Sequence, residues 1–176
     1  MPEERTDAQS FKGSPLTLVG PVLECGTAAP DFKLLKNDLS EATLASYAGK
    51  VKILAVVPSL DTGVCDTETR RFNEEATNLG SDVVVLGISR DLPFAQKRWC
   101  GAAGGDRVET LSDFRSNFGE TYGVLIKDGP LGNLLARAVF VVDKGGKLVY
   151  QQIVPELTTE PDYAAALEAA KKAVQS

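Results

Sequence analysis

Apolar positions in this chain cluster into short continuous runs, separated by stretches with helical spacing. Residues 51–57 (VKILAVV) form a compact apolar run that stops at Pro58. The run has strand length and reads as a strand buried on both faces. Residues 83–89 (VVVLGIS) read the same way. Between them Cys65, Thr69, Phe72, Ala76 and Leu79 recur at helical spacing, and Gly80 supplies a stop. After the second strand, Asp91 predicts an N-cap and Pro93 the first turn of a helix running to about Cys100. The glycine-rich residues 101–105 end it. Residues 108–111 predict a third strand and 113–118 a short helix. Residues 138–142 and 147–153 flank Asp143-Lys-Gly-Gly146, a hairpin signal. Pro161 and Asp162 open a last helix with Tyr163, Leu167, Ala170 and Val174 on one face. The N-terminal pattern is weaker. Residues 1–10 are polar and predict disorder, while 16–19 and 22–23 predict a short hairpin around Gly20-Pro21. Residues 28–32 lead into another short extended piece.

The order strand–helix–strand–helix, then hairpin–helix, predicts an α/β fold. A parallel βαβ half followed by a ββα half is the thioredoxin-like arrangement: a central mixed β-sheet flanked by helices, here preceded by an N-terminal β-hairpin. With 176 residues and no internal repeat or linker, the chain predicts a single domain over 11–176.

Composition narrows the chemistry. There is no histidine, which removes serine–histidine and cysteine–histidine hydrolases, histidine bases and most zinc or iron enzymes. The net charge is −5, against a nucleic-acid footprint or an anionic membrane surface. No apolar run approaches a membrane span, and the polar N-terminus is not a signal peptide, so the expected address is the cytoplasm. Three cysteines, Cys25, Cys65 and Cys100, stand far apart and form no CxxC motif. In that compartment a disulfide is expected to be transient and catalytic rather than a staple. There is no nucleotide-binding glycine motif, so no nucleotide cofactor is expected.

Cys65 ends the segment Pro58-Ser-Leu-Asp-Thr62-Gly-Val-Cys65, where a buried strand gives way to a helix. With Thr62 or Asp61 as N-cap, Cys65 falls in the first turn. Free N–H groups and the helix dipole favour an anion there, and a thiolate is one. Thr62 can offer its hydroxyl to the sulfur or to a substrate oxygen, and Pro58 can hold the loop and shield the pocket. Cys65 also shares a stripe with Phe72, Ala76 and Leu79, so the pattern alone fits a buried core thiol equally well.

A wider set of motifs separates the two. Pro58, Thr62 and Cys65 fit Pro-x-x-x-Thr-x-x-Cys, and with it stand residues 91–101 (DLPFAQKRWCG), Tyr122-Gly-Val, Asp128-Gly-Pro-Leu, Ala136-Arg-Ala138 and Thr158-Thr-Glu-Pro-Asp-Tyr163. From about Phe11 onward the chain resembles the thiol peroxidase branch of the peroxiredoxins, the atypical two-cysteine group. The resemblance implies that Cys65 is the peroxidatic cysteine, oxidised by hydrogen peroxide or an organic hydroperoxide to a sulfenic acid. It implies that Arg137 is the active-site cation and Cys100 the resolving cysteine, closing an intramolecular disulfide with Cys65. It also implies thioredoxin as reductant, a homodimer, and no metal. Two cysteines on separate helices are expected to lie beyond disulfide reach when reduced, so local unfolding should accompany each cycle. Val64, Phe94 and Leu125 are candidates for an apolar access path. Cys25 has no matching role and reads as a spare thiol.

Two rival readings compete. Residues 65–71 satisfy C-x5-R, the phosphatase pattern, but Asp66 and Glu68 would repel phosphate and the segment reads as helix. A non-enzymatic redox sensor on the thioredoxin fold, using the same two cysteines, shares the sulfenic acid step. Arg70, Arg71, Glu74 and Glu75 read as a solvated helix face.

Overall fold

The computed structural model describes residues 2–103 and 108–176. Its core is a seven-stranded mixed sheet in the order β10-β9-β5-β6-β7-β3-β4. Those strands are β3 (Leu34–Leu35), β4 (Glu41–Ala42), β5 (Val51–Val56), β6 (Val83–Ser89), β7 (Val108–Ser112), β9 (Ala138–Val142) and β10 (Leu148–Ile153). β5, β6 and β7 run parallel, and β9 pairs antiparallel with both β5 and β10. Helices α1 (Gly63–Leu79) and α2 (Pro93–Ala103) make the crossovers, α3 (Phe118–Thr121) is a single turn, and α4 (Tyr163–Gln175) closes the chain. A second, three-stranded sheet joins β1 (Glu4–Phe11), β2 (Ser14–Val19) and β8 (Leu125–Ile126) in the order β1-β2-β8.

The unbroken apolar runs follow from cover on both faces of the large sheet. On β5, Ile53 and Ala55 face α1 and α4, in a cluster with Phe72, Ala76, Tyr163, Ala166 and Ala170. Leu54 and Val56 point the other way, in a cluster with Leu18, Phe118, Tyr122, Ile126 and Phe140. The small sheet therefore covers the face that the long helices leave open. The α/β architecture, the parallel βαβ half and the terminal ββα half are as the pattern predicts.

The N-terminal region departs from expectation. Residues 4–11 are not disordered: β1 is a strand, and the hairpin lies between β1 and β2 around Lys12 and Gly13, not around Gly20-Pro21. Besides its ladder with β2 and the packing of Ala8 and Phe11 on the core, polar ties hold β1. Ser10 donates its amide to Pro155 O and accepts from Leu157 N, at 2.8 and 2.7 Å. The buried Gln9 amide donates to Arg137 O and Val154 O at 2.9 and 2.7 Å. Gly20 has another use. Its φ is +111°, and a Cβ there would sit 2.0 Å from Glu120 O, so it permits close backbone approach to the end of α3.

Three further boundaries shift. The helix expected at 113–118 forms at Phe118–Thr121, because the buried Asp113 carboxylate accepts from Gly119 N and Arg90 instead of starting a helix at once. Asp91 does not cap α2. Its carboxylate accepts from Ser59 Oγ, Leu60 N and Ser89 Oγ at 2.7–2.8 Å. α2 continues past Cys100 to Ala103, and Gly104 and Gly105 lie outside the described residues.

Gly20→Ala should destabilise the protein by at least about 2 kcal/mol in urea unfolding. Gly13→Ala, at φ +83° with open space around the new Cβ, should cost only about 1–2 kcal/mol of left-handed strain. Equal losses at the two positions would contradict the close approach at Gly20.

Candidate active site

β5 ends at Val56, and the buried Pro58 stops its ladder. Thr62, in extended conformation, is the N-cap of α1, and its side-chain oxygen accepts from Cys65 N at 3.3 Å. Cys65 is thus in the first helical turn, with no exposed surface. The Thr62 hydroxyl donates to Ser59 O at 3.3 Å, so its hydrogen is used on the loop rather than on the sulfur. Asp91 fixes the same loop from the far side through Ser59 and Leu60.

Arg137 precedes β9, and the antiparallel register pairs Val56 with Ala138. That register brings Arg137 to the C-terminal end of β5, beside the Cys65 loop. Its side chain is only 1% exposed. Nη2 donates to Cys65 Sγ at 3.1 Å, Nη1 to Glu68 Oε2 at 2.6 Å, and Nε to Leu157 O at 2.6 Å. Gln9 and Val154 N bind the Arg137 backbone. Burial works against the guanidinium charge, but Cys65 and Glu68 outweigh it and hold the group more basic than usual.

Glu68 follows Cys65 by one turn on the same helix face. It is fully buried, and its Oε1 has no hydrogen-bond partner. Burial pushes its carboxyl up to about 7, against the downward pull of Arg137. A single buried guanidinium therefore divides its donors between a sulfur and a carboxyl group.

Cys100 lies on α2, partly buried and unbonded, as are all three thiols free. Its sulfur is 3.3 Å from Thr110 Oγ1, and Asn37 Nδ2 lies 3.8 Å away. It packs against the cluster of Val57, Leu60, Cys65 and Trp99. Cys65 thus meets Thr62 through its amide and Arg137 through its sulfur, with Pro58 at the start of the same loop and Cys100 on the neighbouring helix. Cys25 is exposed. Of the expected access residues, Phe94 is 66% exposed, whereas Leu125 is buried in the cluster below the small sheet. Arg71 does not turn toward Cys65; it pairs with Glu75 and stacks over Tyr163, leaving no oxyanion loop of the C-x5-R kind.

A redoxin family model matches residues 24–167. The thiol peroxidase of Bacillus subtilis strain 168 is 58% identical over 167 residues, covering 94% of this chain and 98% of that protein. The chain belongs to the thiol peroxidases of the redoxin family. The thiol peroxidase of Staphylococcus aureus strain MRSA252 is 56% identical over 163 residues, or 92% of this chain and 96% of that one. A peroxiredoxin-like protein from Aquifex aeolicus superposes with a TM-score of 0.90 at 46% identity, over 96% of this chain and 97% of its own. Thiol peroxidase from Chromobacterium violaceum shares the fold, with a TM-score of 0.85 at 21% identity over 95% and 97% of the two chains. As a thiol peroxidase the chain is an enzyme, and the non-enzymatic sensor reading falls. Among the described residues no helix is long and apolar enough to cross a membrane.

Sequence reasoning missed Glu68, Gln9, Asp91 and the Leu157 carbonyl as parts of the surroundings of Cys65 and Arg137 in this thiol peroxidase. The Glu68 signal was present in its spacing, one turn after Cys65 on the buried stripe. The other three act through folding contacts that no local pattern encodes.

The Glu68 environment predicts a pH dependence of stability. Its folded value, about 7, lies above the usual 4.5. Its contribution is therefore complete below about pH 4.5 and is lost as pH rises through 7. Urea unfolding of Glu68→Gln should lack that loss, so the variant should gain on the wild type by on the order of 2–3 kcal/mol between pH 4.5 and 8. Parallel stability curves would mean that Glu68 does not titrate there.

Proposed function

We propose that this thiol peroxidase reduces hydrogen peroxide and organic hydroperoxides through Cys65, with Cys100 resolving and thioredoxin as reductant. The observation that carries this reading is the Arg137 guanidinium, 3.1 Å from Cys65 Sγ in a dry first turn of helix. Attack on a peroxide forms an S–O bond and breaks the O–O bond. Water or an alcohol leaves after taking up a proton, and Cys65 becomes a sulfenic acid. Arg137 stabilises the thiolate and the charge that passes to the departing oxygen. Glu68 and Leu157 O hold the guanidinium plane, while Thr62 and Pro58 hold the sulfur at the helix start. Charge stabilisation of this kind supplies about 10²–10³-fold in rate.

Cys100 then attacks the sulfenic sulfur. The S–S bond forms, and hydroxide leaves with the thiol proton as water. A dithiol reductant returns both cysteines to thiols. The likeness to thiol peroxidases supports thioredoxin in that role, a homodimer and a cytoplasmic address, each a part of this reading.

Intact mass before and after one equivalent of cumene hydroperoxide tests the scheme. A loss of about two mass units mapping to Cys65 and Cys100 is expected, two thiol hydrogens having been removed. Oxidation mapping mainly to Cys25 would overturn it. Cys65→Ser should abolish turnover. Cys100→Ser should allow one stoichiometric oxidation and then stop thioredoxin-driven cycling. Arg137→Ala should slow Cys65 oxidation about 100-fold or more, and an unchanged rate would remove Arg137 from the mechanism.

A further inference from the structure

α2 is tied down at two places of different character. In its first half the buried Gln96 donates Nε2 to Ser89 Oγ at 3.0 Å and to Leu111 O at 2.9 Å, anchoring it to the sheet. In its second half, Trp99 Nε1 donates to Asp66 Oδ1 at 2.7 Å. Asp66 directly follows Cys65, and Trp99 directly precedes Cys100. The other Asp66 oxygen accepts from Arg70 Nε at 2.8 Å, and the Arg70 guanidinium lies over the indole ring at 5.8 Å. The two reacting cysteines thus sit on either side of one side-chain hydrogen bond. That bond fixes their helices in an arrangement where the sulfurs are unbonded.

We propose that the Trp99–Asp66 hydrogen bond is the latch of the resolving step. It holds the Cys100 half of α2 on α1 until Cys65 is oxidised, and its opening helps set the rate of disulfide formation. This rests on the assignment of Cys100 as resolving cysteine. The step it gates transfers the Cys100 sulfur's electron pair to the sulfenic sulfur, breaks the S–O bond and releases water. While the latch is closed, the sulfenic acid faces further oxidation to sulfinic acid by a second peroxide. Gln96 confines the opening to the residues that follow it. Asp66 and Trp99 are positioning residues: neither indole nor carboxylate takes part in bond exchange.

The test is rapid-quench alkylation and intact mass after one equivalent of cumene hydroperoxide, following sulfenic acid and disulfide separately. Disulfide formation is unimolecular, so its rate is read as the phase independent of peroxide concentration. Trp99→Phe keeps an aromatic ring but removes the donor, and Asp66→Ala removes the acceptor. Each should accelerate the disulfide phase by about tenfold, the loss of one charge-assisted hydrogen bond. The double variant should be no faster than either single one, because both remove the same bond. Both variants should also form less sulfinic acid per turnover. Sulfenic acid formation in Trp99→Phe should stay within about twofold of wild type, which a general loss of structure would not allow. An unchanged disulfide phase, or independent multiplicative effects in the double variant, would overturn the latch. If the wild type forms no Cys65–Cys100 disulfide by peptide mapping, the resolving assignment itself fails, and the latch with it.

Discussion

A buried arginine is expensive to keep. Removing a guanidinium from water costs several kcal/mol even after relaxation, and the cost is recovered only where each N–H finds a partner. Arg137 finds the Cys65 sulfur, a Glu68 oxygen and the Leu157 carbonyl, while its backbone is held by Gln9 and Val154. Every major element near the site serves this one group. The β5–β9 register delivers it, α1 supplies its two acidic partners, and the chain after β10 supplies a carbonyl. Its positive charge in turn gives the fold a reason to present a cysteine at the end of β5. Without that cation, a sulfur in the same place would be one more small apolar side chain.

The loop carrying Cys65 is held from three directions. Thr62 caps α1, Pro58 ends the strand, and Asp91 reaches across from the end of β6 to Ser59 and Leu60. The Thr62 and Asp91 contacts are polar with directional geometry, unlike the apolar packing beneath them. The sheet core places the loop at the end of β5. The hydrogen bonds then fix the sulfur relative to the guanidinium, the precision that bond-making demands.

The sequence made the large sheet and its two long helices legible because burial on both faces leaves continuous apolar runs, and α1 and α4 carry apolar stripes. The Cys65–Thr62–Pro58 corner was legible for a local reason: capping and strand termination are short-range events. β1 was not legible. Its one fully buried side chain is an amide, Gln9, and with Ala8 and Phe11 only partly buried the strand has no apolar period to detect. Asp91 was misread because the same carboxylate that suits an N-cap also suits a loop clamp, and only the neighbouring strand end decides between them. Glu68 counts in the sequence only as a charge that would repel phosphate, because its place beside Arg137 is set by the β5–β9 register and not by any local pattern.

The contacts around Arg137 also order events in time. Its socket draws on Gln9 near the start of the chain and on Leu157 near its end. Contacts so distant in sequence close late, after local helices and hairpins have formed. During synthesis the Cys65 segment leaves the ribosome long before Leu157 does. A nascent chain therefore carries Cys65 without a completed cation socket. The guanidinium is fixed beside the sulfur only when the segments around Gln9 and Leu157 have both docked, so under the proposed function the finished fold is what arms Cys65.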